Sequence, residues 1–361
     1  MGYVNSVIGV GRGLRSGRLL VCSVGDCGID RRVFLGLSGS VGGGLLCGGV
    51  GPVFGKGRLK GGSWEGIDFP SDAEIADVST VSERAFFAVS KNGELLESVD
   101  GGSRWTRRTY FERPLKNIQF KGVEGWIVAK NGYLFYSDNA GRTWSPVSGP
   151  PRMVGVIFLA TPVGRASVEL VTSTGEVFKS VNGGTTWTQK VQPAPSILDG
   201  EFIGHLKSIR RDASGNYVAL SSLGGNLFTL GNGANGWQST SLPSVRNPMS
   251  VGFSSSSGGM VWLSDKTGDL YLANSSQLNS GLSFGMVRTL ETNGYPVVDV
   301  AAMGESSTLI AVAGSGALYT SRDSGSTWTQ DHKLNLSGGE VRRIRYPFAM
   351  GSHGILLRYR V

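Results

Sequence analysis

Short apolar runs punctuated by glycine and serine dominate the pattern along this chain. Arg84-Ala-Phe-Phe-Ala-Val89 and Val297-Val-Asp-Val-Ala-Ala302 are typical: a few residues long, rich in Val, Ala and aromatics, and bounded by turn formers. Each such pair is followed by a third run that opens on glycine and carries Leu or Val, then an aromatic or a second Leu. Examples are Asn92-Gly-Glu-Leu-Leu, Asn131-Gly-Tyr-Leu-Phe, Thr174-Gly-Glu-Val-Phe and Gly225-Asn-Leu-Phe. Thr267-Gly-Asp-Leu-Tyr, Ser315-Gly-Ala-Leu-Tyr and His353-Gly-Ile-Leu-Leu-Arg-Tyr359 continue the series. No segment carries a stripe of period 3.6, so the pattern predicts strands rather than helices.

An octapeptide follows the third run. It reads Ser98-Val-Asp-Gly-Gly-Ser-Arg-Trp105, Ser137-Asp-Asn-Ala-Gly-Arg-Thr-Trp144, Ser180-Val-Asn-Gly-Gly-Thr-Thr-Trp187 and Ser321-Arg-Asp-Ser-Gly-Ser-Thr-Trp328. Worn copies end at Trp237 and Phe284. This is the Asp-box. Its carboxylate or amide (Asp100, Asn139, Asn182, Asp323) can accept backbone N–H groups of its own turn, and glycine supplies a backbone angle that a Cβ resists. The tryptophan (Trp105, Trp144, Trp187, Trp328) opens the next strand and folds back over the turn. One carboxylate or amide per repeat, with no His or Cys beside it, is expected to staple a hairpin rather than hold a metal.

A repeat of about 40–50 residues with four strands per unit predicts an all-β propeller. The box aromatics at 105, 144, 187, 237, 284 and 328 give six complete units. The C-terminus adds three strands and no box, and Ser63-Trp-Glu-Gly-Ile-Asp-Phe69 offers the missing outer strand. Seven blades closed by an N-terminal strand are therefore expected, removing the open edge. Eight blades is the alternative if Val50-Gly-Pro-Val-Phe54 is a strand.

Charge separates the chain into two parts. Residues 1–60 carry eight basic and two acidic residues, a balance of 8 − 2 = +6, which leaves 35 − 8 = 27 basic and 27 − 2 = 25 acidic residues in 61–361. The overall +8 thus belongs mostly to the extension and gives no reason to expect a nucleic-acid partner. Cys22, Cys27 and Cys47 all fall in the extension, so neither disulfides nor thiol chemistry is expected in 61–361. Within the extension, Asp30-Arg31-Arg32-Val33-Phe34-Leu35 precedes a mildly apolar, Gly-rich stretch to Phe54. Twin arginines Arg31 and Arg32, then Phe-Leu, then a weakly hydrophobic segment read as a twin-arginine export signal. The Arg-bearing leader before them, acid-free up to Asp26, reads as an organelle transit peptide, so 1–60 is expected to be a bipartite targeting extension. The other reading is a Gly-rich tail with an incidental Arg pair.

With these features the chain resembles the photosystem II stability/assembly factor family of plants, algae and cyanobacteria. The resemblance covers essentially residues 63–361. It rests on Trp64-Glu-Gly-Ile-Asp-Phe, Phe120-Lys-Gly-Val-Glu-Gly-Trp-Ile-Val128, Val168-Glu-Leu-Val171, Gly215-Asn-Tyr-Val-Ala-Leu-Ser-Ser222 and Gly354-Ile-Leu-Leu-Arg-Tyr359. It implies a seven-bladed, non-enzymatic factor of the thylakoid lumen in a plastid, without cofactor, that binds the newly made reaction-centre core subunit and early assembly intermediates. Contact with the thylakoid membrane would then be indirect, and the factor a monomer. It also implies an arginine-rich partner surface, which falls here on Arg210, Arg211 and Arg246. The patch is thinner than in relatives, with Ser221-Ser222-Leu223-Gly224 where they read Ser-Ser-Arg-Gly and Ser241-Leu-Pro-Ser-Val245 where a basic run is expected. Arginine forks suit acidic or C-terminal carboxylate segments. Ordinary solvated charge is the other reading of these residues, and the expected one for Arg107-Arg108 and Arg342-Arg343.

Two rival functions are open to an Asp-box propeller. A sialidase-like hydrolase needs an arginine cluster, a Tyr–Glu pair and a Phe/Tyr-Arg-Ile/Leu-Pro signature. Glu112-Arg-Pro-Leu115 and Arg343-Ile-Arg-Tyr-Pro347 do not match it, and His205, His332 and His353 are scattered. A virion or cell-surface adhesin would keep residues 1–60 as an anchoring arm.

Overall fold

The structure, a computed structural model, describes residues 64–194, 206–222, 225–240, 242, 245, 247–255, 258–287, 290–303, 307–331 and 339–359. Its strands form seven four-stranded antiparallel sheets. Six are continuous in sequence, spanning 75–110, 115–147, 157–191, 206–240, 248–287 and 297–330. These are blades 1 to 6, each ordered from its innermost to its outermost strand as the chain runs. Blade 7 is composite: Val341–Arg345, Phe348–Gly351 and Leu356–Tyr359 are joined at the outside by Trp64–Gly66. Trp64 pairs with Tyr359 and Gly66 with Leu357 across that seam. The seven-blade expectation holds. The stretch from Val50 to Phe54 lies outside the described residues, as do Arg31, Arg32 and the rest of the proposed extension.

Alternation explains why these runs become strands buried on both faces. In each sheet successive side chains point to the two neighbouring blades. Phe87, Val89 and Leu95 of blade 1 pack with Leu115, Ile118 and Ile127 of blade 2, while Phe86, Ala88 and Leu96 pack toward Phe348, Met350 and Leu356 of blade 7. The apolar core is thus a set of inter-blade layers, and all seven share this plan. The outer strands add little to the core beyond single residues such as Val191, Val287 and Trp64, and Thr106–Tyr110 is exposed throughout. Gly102 shows how tightly the box turn meets the next layer. Its φ is +85°, and a Cβ there would stand 2.2 Å from Cζ of Phe348. Among the described residues the helical segments are two 3-10 turns, Lys130–Gly132 and Ser275–Gln277, and no helix is long and apolar enough to cross a membrane.

Candidate functional site

The Asp-boxes fold as staples. Asp100 Oδ1 accepts the Ser98 hydroxyl at 2.9 Å and the backbone N–H groups of Ser103 at 3.1 Å and Arg104 at 2.9 Å. Trp105 Nε1 donates to Gly102 O at 3.0 Å. Asn139 and Asn182 repeat this with an added bond, their Nδ2 donating to Thr143 Oγ1 at 2.7 Å and Thr186 Oγ1 at 2.8 Å. Trp144 closes on Gly141 O at 3.1 Å, whereas Trp187 reaches across to Ser148 O of blade 2 at 3.0 Å. Asp323 accepts Thr327 N at 2.8 Å and Thr327 Oγ1 at 2.6 Å, and Trp328 closes on Gly325 O at 3.0 Å. In blade 5 the worn copy is replaced: Asn274 caps the Ser275–Gln277 turn by accepting Ser276 N. The box carboxylates and amides are occupied by their own turns. Among the described residues no group of three or more His, Cys, Asp or Glu side chains could hold a metal.

The Thr327 hydroxyl, the Thr327 N–H and the Ser321 hydroxyl together hold Asp323 down at about 2, against an ordinary 3.8. A carboxyl depressed in the folded state contributes stability that is complete above its unfolded value. That contribution is lost as pH falls from 3.8 through about 2. Asp323→Asn should keep the turn, because Asn182 accepts the matching backbone N–H and serine hydroxyl and meets its threonine hydroxyl with the donor reversed, and should flatten the decline of Tm across this acid window. Thermal melts of wild type and variant between these pH values check it; parallel declines would refute the assignment.

The second candidate site is the axial channel. All seven innermost strands carry an irregularity after their first residue, between Ile75/Asp77, Leu115/Asn117, Ile157/Leu159, Leu206/Ser208, Pro248/Ser250, Val297/Asp299 and Val341/Arg343. A bulge re-aims the side chains that follow it. Four of the re-aimed residues reach the backbone of the next blade, Arg343 among them by donating Nη1 to Ala76 O of blade 1 at 2.7 Å. Asp77 Oδ2 accepts Ile118 N at 3.3 Å, Ser208 Oγ accepts Val251 N at 3.4 Å, and Asp299 Oδ2 accepts Ile344 N at 2.9 Å.

Charge gathers around these positions. Asp77 is 1% exposed; its Oδ1 lies 3.1 Å from Arg345 Nε and 3.5 Å from Arg343 Nη1, and its Oδ2 accepts Asn117 Nδ2 at 2.6 Å. Arg345 also approaches Asp299 at 3.6 Å. Burial works to lower the Arg345 guanidinium, but Asp77 and Asp299 outweigh it and the net direction is upward. Arg210 stands at the same place in blade 4 as Arg345 in blade 7, two residues past the irregularity, and each donates Nη1 to the carbonyl of the preceding residue. Arg210 has no ion pair among those of the described residues. Burial pulls it down to about 10; Arg343 and Arg345 push the same way, while Asp299 and Asp77 oppose them.

The structure therefore divides the sequence-derived arginines. Arg210 gathers with Arg343 and Arg345 about the channel. Arg211, its neighbour along the strand, points to the other face and is locked between blades 3 and 4. Its Nη2 lies 2.8 Å from Glu169, its Nε 3.2 Å from the Tyr217 hydroxyl, and its Nη1 donates to Asp212 O at 2.9 Å. Burial followed by the Glu169 charge raises the Tyr217 hydroxyl, so it stays a proton donor to that carboxylate. Arg246 lies outside the described residues. The expectation for Arg342-Arg343 is half corrected: Arg342 is a surface cation paired with Glu74 and Glu340, whereas Arg343 donates to Ala76 O and faces Asp77. Arg107 and Arg108 are surface cations paired with Glu94 and Glu97. Aligning the innermost strands on Val78, Ile118, Ile209 and Ile344 would have exposed Arg343 and Arg345 as channel residues from sequence.

Comparison with known proteins fits this architecture. Residues 57–360 match the family model described as photosynthesis system II assembly factor YCF48. The chain is 30% identical over 305 residues to the photosystem II assembly protein Ycf48 of Thermosynechococcus vestitus, covering 82% of this chain and 84% of that one. It is 28% identical over 338 residues to the chloroplastic photosystem II stability/assembly factor HCF136 of Arabidopsis thaliana, covering 86% of this chain and 82% of that one. Among solved structures, YCF48 bound to D1 peptide superposes with a TM-score of 0.74 at 27% identity, covering 84% of this chain and 97% of that one. YCF48 from Cyanidioschyzon merolae gives 0.74 at 26% identity, covering 82% and 98%. A virginiamycin B lyase from Staphylococcus aureus, at 8% identity and a TM-score of 0.60, shares the fold alone. With seven blades, an N-terminal closing strand and a family match over nearly all of the propeller, this chain belongs to the photosystem II assembly factor YCF48 family.

Proposed function

We propose that this protein is a non-enzymatic photosystem II assembly and stability factor that binds the newly made reaction-centre core subunit during early complex assembly. The observation that carries the reading is the likeness, along most of the chain, to a YCF48 structure solved with a D1 peptide. The arginine content agrees with it. Arg210 holds no carboxylate of its own, and guanidinium groups pair bidentately with carboxylate-bearing segments. Partner contact is assigned to Arg210, Arg211 and Arg246, with Arg211 acting chiefly by fixing blade 4 against blade 3. The working place is the thylakoid lumen of a plastid, reached by the extension 1–60 with Arg31 and Arg32 as its export signal, and the mature propeller 61–361 acts as a monomer. The plastid assignment draws on the chloroplastic relatives.

Pull-down from thylakoid extract tests this. Wild type should recover the reaction-centre core subunit, and Arg210→Ala/Arg246→Ala should recover markedly less while melting normally. Adding Arg211→Ala should lower recovery further, together with stability. Equal recovery by wild type and both variants would move the contact elsewhere on the ring. No recovery by any would sink the assembly reading and favour an adhesin.

A further inference from the structure

Blades 1 to 3 carry an unusual surface at their Asp-box end. The box loops and the hairpins between first and second strands are tied there by backbone bonds: Gly101 N to Arg84 O at 2.9 Å, Ala140 N to Val123 O at 2.9 Å and Gly183 N to Ala166 O at 2.8 Å. Three valines stand out from these loops with nothing packed over them: Val99 is 65% exposed, Val123 52% and Val181 66%. Around them lie the exposed cations Arg84, Arg104, Lys121, Arg142 and Arg165, none in an ion pair among the described residues. The acidic residues at this end are Glu83, Asp100, Glu124 and Asp138, with Asp100 engaged in its own turn and Glu124 buried and accepting the Tyr136 hydroxyl. On blade 3 the surface dips into a cleft of about 180 Å³ lined by Lys179, Lys190, Thr186, Thr188 and Val181. Lys179 and Lys190 also lack an ion pair among the described residues, so the cleft offers two ammonium groups and two hydroxyls.

We propose that this end of blades 1 to 3 is a membrane-docking face, which seats an anionic lipid headgroup in the blade 3 cleft and dips Val99, Val123 and Val181 into the headgroup layer. Charge complementarity selects the occupant. Unpaired cations that ring isolated, protruding aliphatic side chains match an anionic bilayer surface, where the apolar tips leave water and the basic groups stay at headgroup level. The core of a protein interface is instead depleted of charged residues, lysine among them, whereas this face interleaves its valines with cations. This goes beyond the reaction-centre reading and does not depend on it: it concerns lipid, and none of its residues belongs to the arginine set assigned to the partner.

Vesicle co-sedimentation of the full chain tests it, using phosphatidylcholine alone and phosphatidylcholine mixed with phosphatidylglycerol. All variants share the same basic N-terminal extension, so differences between them report the propeller. Lys179→Gln/Lys190→Gln should weaken binding to the anionic vesicles about 25-fold, at roughly fivefold per basic charge lost near the surface. Val181→Asp should weaken it too, with an unchanged melting temperature. Val154→Asp, an equally exposed valine in the connection from blade 2 to blade 3, serves as control and should bind as wild type does. Inorganic phosphate at matched ionic strength should leave binding unchanged. The proposal falls if the lysine variant binds as wild type does, if Val154→Asp weakens binding as much as Val181→Asp, or if inorganic phosphate displaces the protein, which would make the cleft a free-oxyanion site.

Discussion

Trp64→Ala should cost about 3–5 kcal/mol of stability, the usual range for deleting a buried tryptophan side chain. Trp64 is 3% exposed although it begins a strand of only three residues. Its ring meets Tyr359 edge-on at 5.2 Å, and its Nε1 donates to Asp331 at 3.3 Å, an oxygen that also accepts the Thr320 hydroxyl at 2.7 Å. The side chain therefore ties the closing strand to both blade 7 and blade 6. Trp64→Phe should keep the packing, lose one hydrogen bond, and cost about 1 kcal/mol. Deleting residues 64–66 should go further, leaving Leu356–Tyr359 as an unpaired edge open to association with other chains. Denaturant titration of the two substitutions, with light scattering on the deletion, checks this. A Trp64→Ala variant as stable as Trp64→Phe would show that the seam does not hold the ring.

Asp77→Ala should be of similar size, about 3–5 kcal/mol, because it leaves charge uncompensated inside the protein. Asp77 accepts Ile118 N and Asn117 Nδ2 from blade 2 and faces Arg343 and Arg345 of blade 7, so it joins the blades on both sides of its own. Its loss would leave Asp299 as the neighbour of Arg345. The signature lies in coupling. Arg345→Met on the Asp77→Ala background should recover part of the loss, since it removes the orphaned charge, whereas Arg345→Met alone should destabilise. Additive effects in this double-mutant cycle would mean that Asp77 acts only through its bonds to blade 2.

Box turns were legible in the sequence because their information is local. Asp100, Asn139, Asn182 and Asp323 each satisfy groups within four residues of themselves, and the octapeptide contains both donor and acceptor. The same locality failed at Phe284: Asn279 and Gly281 keep their box positions, but Gln277 stands where the other boxes open on Ser, and blade 5 turns through the Ser275–Gln277 segment capped by Asn274. The arginines were less legible. Arg210 and Arg211 are adjacent in sequence and were read as one patch, yet strand alternation turns one toward the channel and the other into Glu169. Arg343 and Arg345 looked like solvated charge because their partners lie far along the chain, at Ala76, Asp77 and Asp299.

By itself the sequence determined the repeat, the four-strand unit, six complete units and the strand that closes the ring, while seven blades rather than eight came from the sheets themselves. The former follow from hydrogen-bonding turns and from alternation over a few residues, which operate wherever the chain goes. Only the tertiary structure decided which charges meet. In a propeller the innermost strands come from blades dozens to hundreds of residues apart, and closure brings their polar groups within about 3 Å of one another. Coulombic pairing of that kind depends on distance through space rather than along the chain.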